Sequence, residues 1–212
     1  MVPLTFYPRT EERINIYSHL AGLLLSISGL ALLVTYASLY GTLWQIISSA
    51  IYGSSLVVLY LSSTLYHSAR NKTLRQRLNV MDHAAIYVLI AGTYTPFALV
   101  TLHGIPGWVM FGLIWGLALT GIILKVFYTG RYNKISTISY VLMGWAILPF
   151  LHLMLQALPL AAFLLILSGG LAYTIGAALY MATKLPYNHA IFHFLVLAGS
   201  ILHFICIFLY VA

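Results

Sequence analysis

The sequence predicts an all-α, polytopic membrane protein, a bundle of seven transmembrane helices. Hydrophobic residues make up 62% of the 212 residues and charged residues only 6%, whereas soluble domains carry about 25% charged residues. The mean hydropathy is +0.97. A helix needs about 20 apolar residues to cross a bilayer. Seven segments meet this requirement, at approximately 16–38, 43–65, 79–101, 107–128, 135–156, 160–182 and 190–211. We therefore expect a single transmembrane domain over 1–212, with a short cytoplasmic N-terminal segment at 1–15.

The spans differ in the residues that interrupt or anchor them. Pro96 lies inside the third span, where it removes one backbone donor and is expected to kink the helix. Gly169 and Gly170 in the sixth span are expected to let neighbouring helices approach closely. Trp44 and Trp108 lie near span ends, where aromatic side chains typically mark the membrane interface.

Positive charges give the expected orientation of the bundle. The formal net charge is +7, but the basic residues are not gathered on one face, as a nucleic-acid partner would require. They lie before the first span and in or beside the second, fourth and sixth loops, and the first, third and fifth loops carry none. Because cytoplasmic loops are enriched in Lys and Arg, we expect a cytoplasmic N-terminus and a C-terminus outside. The expected partners are membrane lipids, and no nucleic acid.

The N-terminal run argues against a cleaved signal peptide, and the single cysteine argues against sites built from cysteine pairs. The run lacks the short apolar region and small-residue cleavage site of a signal peptide, so we expect it to be retained. Cys206 is the only cysteine, which excludes an intramolecular disulfide and a thiolate pair for metal binding.

Polar residues from three spans are expected at one depth of the membrane. Ser63 and His67 end the second span, and Asp82 begins the third. His189 and His193 begin the seventh, and all these ends are cytoplasmic in the expected topology. Ser63 and His67 are four residues apart, as are the two later histidines, so each pair shares a helix face. Polar groups at this depth need a partner or a cavity. The sequence therefore predicts that three imidazoles and one carboxylate meet.

Such a meeting has a specific chemistry. Three neutral imidazoles with a fourth position open to water form the donor set of catalytic zinc, which acidifies a water molecule towards neutrality. His67, His189 and His193 are therefore the expected Zn²⁺ ligands. Asp82 is expected to act as the general base, and Ser63 to bind the water or a substrate carbonyl. The reaction expected of this set is metal-assisted hydrolysis.

Other acids and histidines are expected to play lesser roles. Glu11 and Glu12, the remaining carboxylates, precede the predicted first span, so the predicted base is the one acid expected at the site. His83 lies about 100° around the helix from that base, so the two cannot point at one ion. His203 lies roughly 20 Å along the last span from the first predicted ligand and is expected to be structural. His19 either lines a cavity or packs at a helix interface.

The ordered motifs resemble those of the haemolysin III family, a bacterial family related to the progestin and adipoQ receptors, which include the adiponectin receptors. The resemblance covers essentially the whole chain. It implies a seven-helix bundle in the bacterial inner membrane, with a zinc ion near the cytoplasmic face. The motifs that carry it are Glu11-Glu12-Arg13-Ile14-Asn15 with His19, Ser62-Ser63-Thr64-Leu65-Tyr66-His67-Ser68, Asp82-His83 with Gly92-Thr93-Tyr94-Thr95-Pro96-Phe97, and His189-Ala190-Ile191-Phe192-His193 with His203.

The resemblance also implies roles for individual residues. The family's zinc ligands fall on His67, His189 and His193, its water-linked acid on Asp82 and its motif serine on Ser63. Animal relatives are linked to receptor signalling and to lipid amide hydrolysis of the ceramidase kind.

Three functions stay open at this point. The leading hypothesis is a zinc-dependent hydrolase acting on an acyl or amide bond of a lipid, because an open metal position beside Asp82 and Ser63 has little purpose in structural support. The second is a non-enzymatic membrane protein that senses or regulates lipid or energy state, with structural zinc. The third, a cytolytic pore, is indicated only by the family name. The sequence leaves the substrate and the oligomeric state open.

Overall fold

The computed structural model describes residues 6–129 and 132–212, and all regular secondary structure within those ranges is helical. A π-helical segment, Phe97–Leu102, follows α3, and a short 3₁₀ helix, Leu148–Phe150, precedes α6. With α5 and α6 taken as one span, the described residues contain seven stretches long and apolar enough to cross a membrane. The predicted all-α, seven-span architecture is confirmed. The helices are α1 (Arg9–Tyr40), α2 (Leu43–Ser68), α3 (Lys72–Pro96), α4 (Gly104–Tyr128), α5 (Asn133–Gly144), α6 (Leu151–Ala157), α7 (Leu160–Met181) and α8 (Asn188–Tyr210).

Two helices begin about two turns before the apolar pattern does. Helix α1 starts at Arg9 and α3 at Lys72, rather than near residues 16 and 79. The side chain of Asn71 caps α3 by accepting a hydrogen bond from the backbone N–H of Leu74 (3.0 Å), which satisfies one of the free donors of the first turn. We call the end of the bundle at which α1 and α3 begin and α2 ends the histidine end. The additional turns bring charged side chains to it.

The fifth span is broken, although its sequence predicts one apolar stretch. Helix α5 ends at Gly144, and α6 begins only at Leu151. Pro149 has no N–H to donate to the carbonyl four residues earlier. That carbonyl, of Trp145, accepts from the backbone N–H of Leu148 (3.1 Å) instead. The carbonyl of Gly144 accepts a hydrogen bond from the Tyr94 hydroxyl (2.6 Å), and the Trp145 indole N–H donates to Thr174 (3.0 Å). The break therefore ties the fifth span to α3 and α7.

The third span changes its helical form at the predicted proline site. Pro96 ends α3, and the backbone continues as the π-helix Phe97–Leu102. The N–H of His103 donates to the carbonyl of Ala98 (3.1 Å), five residues earlier, as a π-helix requires. The wider helical form thus begins at the residue directly after the proline.

Helix α8 is fixed at its start and at its middle. Its first turn follows Pro186 and Tyr187, and Tyr187 has a φ of 57°, in the left-handed region that non-glycine residues rarely adopt. The Asn188 side chain donates to the carbonyl of Tyr180 at the end of α7 (2.8 Å). Near the middle, the hydroxyls of Tyr60 and Tyr173 both lie 2.8 Å from Ser200 Oγ. These contacts set the position of α8 against α2 and α7.

Candidate metal centre

Three buried histidines converge at the histidine end. His67 lies in the last turn of α2, and His189 and His193 lie in the first two turns of α8. The Nε2 atom of His189 is 3.1 Å from Nε2 of His67 and 3.0 Å from Nε2 of His193. The three residues are 2%, 7% and 1% exposed, respectively. Among the described residues they form a group that can hold a metal ion, as the sequence predicts.

The outer ring nitrogens of two of these histidines are already hydrogen-bonded. Nδ1 of His67 lies 3.0 Å from Oε2 of Glu12, and Nδ1 of His193 lies 3.3 Å from the carbonyl oxygen of Asn15 and from Ser18 Oγ. A carboxylate and a carbonyl can only accept, so both Nδ1 atoms carry the proton. In the neutral form of both rings, which metal binding requires, the Nε2 atoms of His67 and His193 are then bare acceptors that face His189.

This arrangement fits a bound cation. The Nε2 atom of His189 carries at most one proton, so it can donate to only one of its two neighbours. At least one of the close nitrogen contacts, those to His67 and His193, then sets one lone pair against another in a buried place. A metal ion between the three nitrogens would accept all three lone pairs and remove this repulsion.

Glu12 is a component of the site that the apolar pattern missed. The pattern places Glu12 before the first span and leaves Asp82 as the only acid expected at the site, but the structure corrects this. Glu12 lies in the first turns of α1 and contacts both His67 (3.0 Å) and Arg75 (2.5 Å). The spacing of Glu12, Asn15 and His19 is the sequence feature that could have identified Glu12 as part of the site. This spacing puts all three residues on the α1 face that meets α2 and α8.

The predicted base and serine line a cavity beside the histidines. The cavity, of about 150 Å³, is bordered by Ser63 and Asp82 as well as by His189 and His193. Asp82 lies outside the group of close ligand atoms. Its Oδ2 is 3.9 Å from Nδ1 of His83, which in turn lies 2.8 Å from the carbonyl of Asn79. His83 is thus engaged with its own helix. The structure brings Asp82 and Ser63 to the same cavity as the ligands, and their catalytic roles stay predictions.

The rest of the cavity runs away from the histidines along α8. Its wall includes His203, fourteen residues after His189, which corresponds to roughly 20 Å of helix. His203 is buried and its Nε2 donates to the carbonyl of Ile166 (3.0 Å), as expected of a hydrogen-bonded histidine away from the metal ligands. The sequence leaves two roles open for His19, lining a cavity or packing between helices, and the structure shows both. His19 lines the cavity, and its ring stacks on that of His193 with centroids 3.5 Å apart. The remaining wall is mainly apolar.

Tyr7 covers the histidines from the other side. Its ring stacks on His189, with centroids 4.6 Å apart and an interplanar angle of 21°, and lies 5.9 Å from the ring of His67. Burial raises the pKa of Tyr7, so the phenol stays neutral near pH 7. The segment before α1 therefore closes the histidine end with an uncharged aromatic ring.

Comparison with known proteins gives matches along almost the whole chain. A family model described as "Haemolysin-III related" matches residues 7–204. The chain is 44% identical to "Hemolysin-3" of Bacillus cereus over 201 residues, 95% of this chain and 92% of that protein. It is 44% identical to "Hemolysin-3 homolog" of Bacillus subtilis (strain 168) over 200 residues, 94% of each chain. It is 27% identical to the human "Monocyte to macrophage differentiation factor" over 206 residues, 94% of this chain and 84% of that protein.

Proposed function

We propose that this chain, which belongs to the haemolysin III family, binds zinc through His67, His189 and His193 and hydrolyses an acyl or amide bond of a membrane lipid. It is a multi-pass membrane protein. One observation carries the proposal: three buried histidines from α2 and α8 bring ligand nitrogens close together, with Nε2 of His189 3.1 Å from that of His67 and 3.0 Å from that of His193. The proposed orientation has the N-terminus and the histidine end at the cytoplasmic face, because the basic loops lie there.

The donor set supports zinc as the metal. Three neutral imidazoles suit zinc better than magnesium or calcium, which prefer oxygen ligands. Nitrogen atoms bound to tetrahedral zinc at about 2.0–2.1 Å lie about 3.3 Å from one another. The observed distances of His189 Nε2 from the other two Nε2 atoms, 3.1 and 3.0 Å, are close to that spacing. Three protein ligands leave the fourth position that a catalytic site requires.

The cavity supplies groups for hydrolysis of a lipid. A metal held by the three histidines would supply Lewis acidity and an acidified water. In this proposal Asp82, which lines the cavity, takes the proton of the attacking water and returns it to the leaving group. Ser63, which lines the same cavity, donates a hydrogen bond to the substrate carbonyl. The apolar wall towards His203 suits a hydrocarbon chain, which would hold the scissile bond at the polar end.

Metal removal tests this proposal. Purified protein is expected to hold about one zinc per chain and to cleave at least one member of a panel of ceramides and ester lipids. Stripping the metal with a chelator should abolish cleavage, and added Zn²⁺ should restore it, because Asp82 and Ser63 alone cannot acidify water. Metal content is measured by mass spectrometry, and product by chromatography. Cleavage that survives complete metal removal would contradict the proposal.

A regulatory role is the second candidate. It is favoured by the low exposure of the three ligands and by the Tyr7 ring stacked on His189, because structural zinc sites are closed to solvent. In that case the metal would join helices and no lipid would be cleaved. A metal-loaded protein without hydrolysis of any lipid in the panel would favour this reading.

The covering role of Tyr7 gives a separate prediction. Replacing Tyr7 by Ala removes the ring that stacks on His189, and aromatic pairs contribute roughly 0.5–1.5 kcal/mol. Zinc release to a chelator is therefore expected to become about 2- to 12-fold faster. The matched control is Tyr7→Phe, which keeps the ring and should release zinc at the wild-type rate. Equal rates in all three proteins would show that Tyr7 does not protect the site.

A further inference from the structure

We infer that Glu12 is a positioning residue for the ligand His67 and that Arg75 holds it in place. The inference rests on the proposed metal site, because it concerns how one of its ligands is oriented. None of the roles assigned above to Asp82 or Ser63 enters it.

The three residues form a closed ring of contacts between three helices. Oε2 of Glu12 accepts from Nδ1 of His67 (3.0 Å), and Oε1 of Glu12 pairs with Nη2 of Arg75 (2.5 Å). Nη1 of Arg75 reaches back to α2, where it donates to the carbonyls of His67 (3.4 Å) and Ala69 (3.3 Å). Arg75 therefore binds both the backbone of the ligand and the carboxylate that contacts its ring.

Burial makes this ring rigid. The side chains of Arg75 and Glu12 are 2% and 17% exposed, and the guanidinium lies 4.6 Å from the centroid of the Tyr66 ring and 4.7 Å from that of Phe6. A carboxylate buried alone would be costly, whereas a charge paired through good hydrogen bonds is tolerated. The pairing leaves Oε2 of Glu12 directed at His67.

A carboxylate in this position acts on the metal through the imidazole. It fixes the proton on Nδ1, orients the ring and makes Nε2 a stronger donor, and such partners typically change metal affinity about 10- to 100-fold. The other two ligands lack a charged partner within the described residues: Nδ1 of His193 faces the carbonyl of Asn15 and a hydroxyl, and Nδ1 of His189 has no hydrogen bond. His67 is thus the ligand whose donor strength Glu12 raises.

The alternative is that Glu12 only neutralises Arg75. Both interpretations expect Glu12→Gln to destabilise the fold, because the substitution removes a carboxylate that pairs with a buried guanidinium. They differ for the double variant Glu12→Gln with Arg75→Gln, in which no buried charge is unpaired. A purely structural role predicts that the double variant recovers both stability and metal affinity. A positioning role predicts that it recovers stability but not affinity, because the carboxylate is still missing.

The experiment measures metal affinity and thermal stability on purified, full-length protein. Affinity for Zn²⁺ is measured by competition with a chromogenic chelator, and ligand geometry by the visible spectrum of the Co²⁺-loaded protein. Glu12→Gln and the double variant are both expected to bind Zn²⁺ about 10- to 100-fold more weakly than wild type, with a changed Co²⁺ spectrum. The matched control is Glu11→Gln, which replaces the neighbouring acid and should leave affinity and spectrum unchanged.

The outcomes separate this inference from the proposed function. Wild-type affinity and spectrum in the double variant would overturn the positioning role of Glu12 and leave the metal site intact. Wild-type protein without bound metal after zinc loading would overturn the site itself. If Glu12→Gln fails to fold, the double variant alone distinguishes the positioning role of Glu12 from a purely structural one, because both members of the buried ion pair are neutral in it.

Discussion

Replacing His193 by alanine is expected to remove the metal from the purified protein, whereas the wild type should hold about one zinc per chain. His193 is one of the three proposed ligands, and its Nε2 lies 3.0 Å from that of His189. Loss of a direct ligand should weaken binding by more than the 10- to 100-fold typical of a residue behind the ligand. Metal content by mass spectrometry of size-selected, folded protein measures the effect.

His203→Ala is the matched control for this experiment. His203 lies on the same helix, is also buried, and donates to the carbonyl of Ile166, but it is remote from the three nitrogens. Its replacement is expected to leave zinc content unchanged. Full zinc occupancy in His193→Ala, or equal loss in both variants, would contradict the assignment of His193 as a ligand.

The second large effect is expected for Asp82→Asn. The side chain keeps its size but loses the negative charge that accepts a proton, so turnover of the lipid substrate should fall about 10²- to 10⁴-fold. Zinc content should stay at the wild-type level, because Asp82 lies outside the group of close ligand atoms. Turnover and metal content are measured on the same preparation.

Thr93→Val is the control for disturbance of the cavity wall. Thr93 lies on the same helix and lines the same cavity, but its hydroxyl already donates to the carbonyl of Leu89 (2.8 Å). We expect its replacement to change turnover far less than that of Asp82. Wild-type turnover in Asp82→Asn would exclude the general-base role of Asp82.

The sequence predicts the grouping of the three histidines because two simple patterns suffice for it. The four-residue spacing of His189 and His193 places them on one helix face, and the loop charges put His67 at the same end of the bundle. The fold is likewise predictable, since a span is recognised by apolar length alone. These two kinds of information brought together three residues, of which His67 and His193 each lie within hydrogen-bond distance of His189 in the structure.

The sequence-based prediction of the helix bounds is wrong where charged residues belong to a membrane helix. The apolar pattern places the starts of the first and third spans after their charged turns. The predicted spans therefore leave out the segments that carry Glu12 and Arg75. In the structure these turns are helical, and the opposite charges neutralise each other, which makes their burial tolerable. A scale that scores residues one at a time does not register such a pair. The direction of each imidazole ring is also a tertiary property, because it depends on partners such as Asn15 that come from another helix.

The separation of the ligands along the chain has a consequence for biogenesis. His67 lies in the second span and His189 in the last, 122 residues later, so the proposed coordination sphere cannot form before the last helix has been synthesised. A ligand that binds only the finished state stabilises only that state. Zinc binding would therefore stabilise only chains whose final helix has been inserted correctly. It would distinguish complete chains from partly inserted ones during quality control.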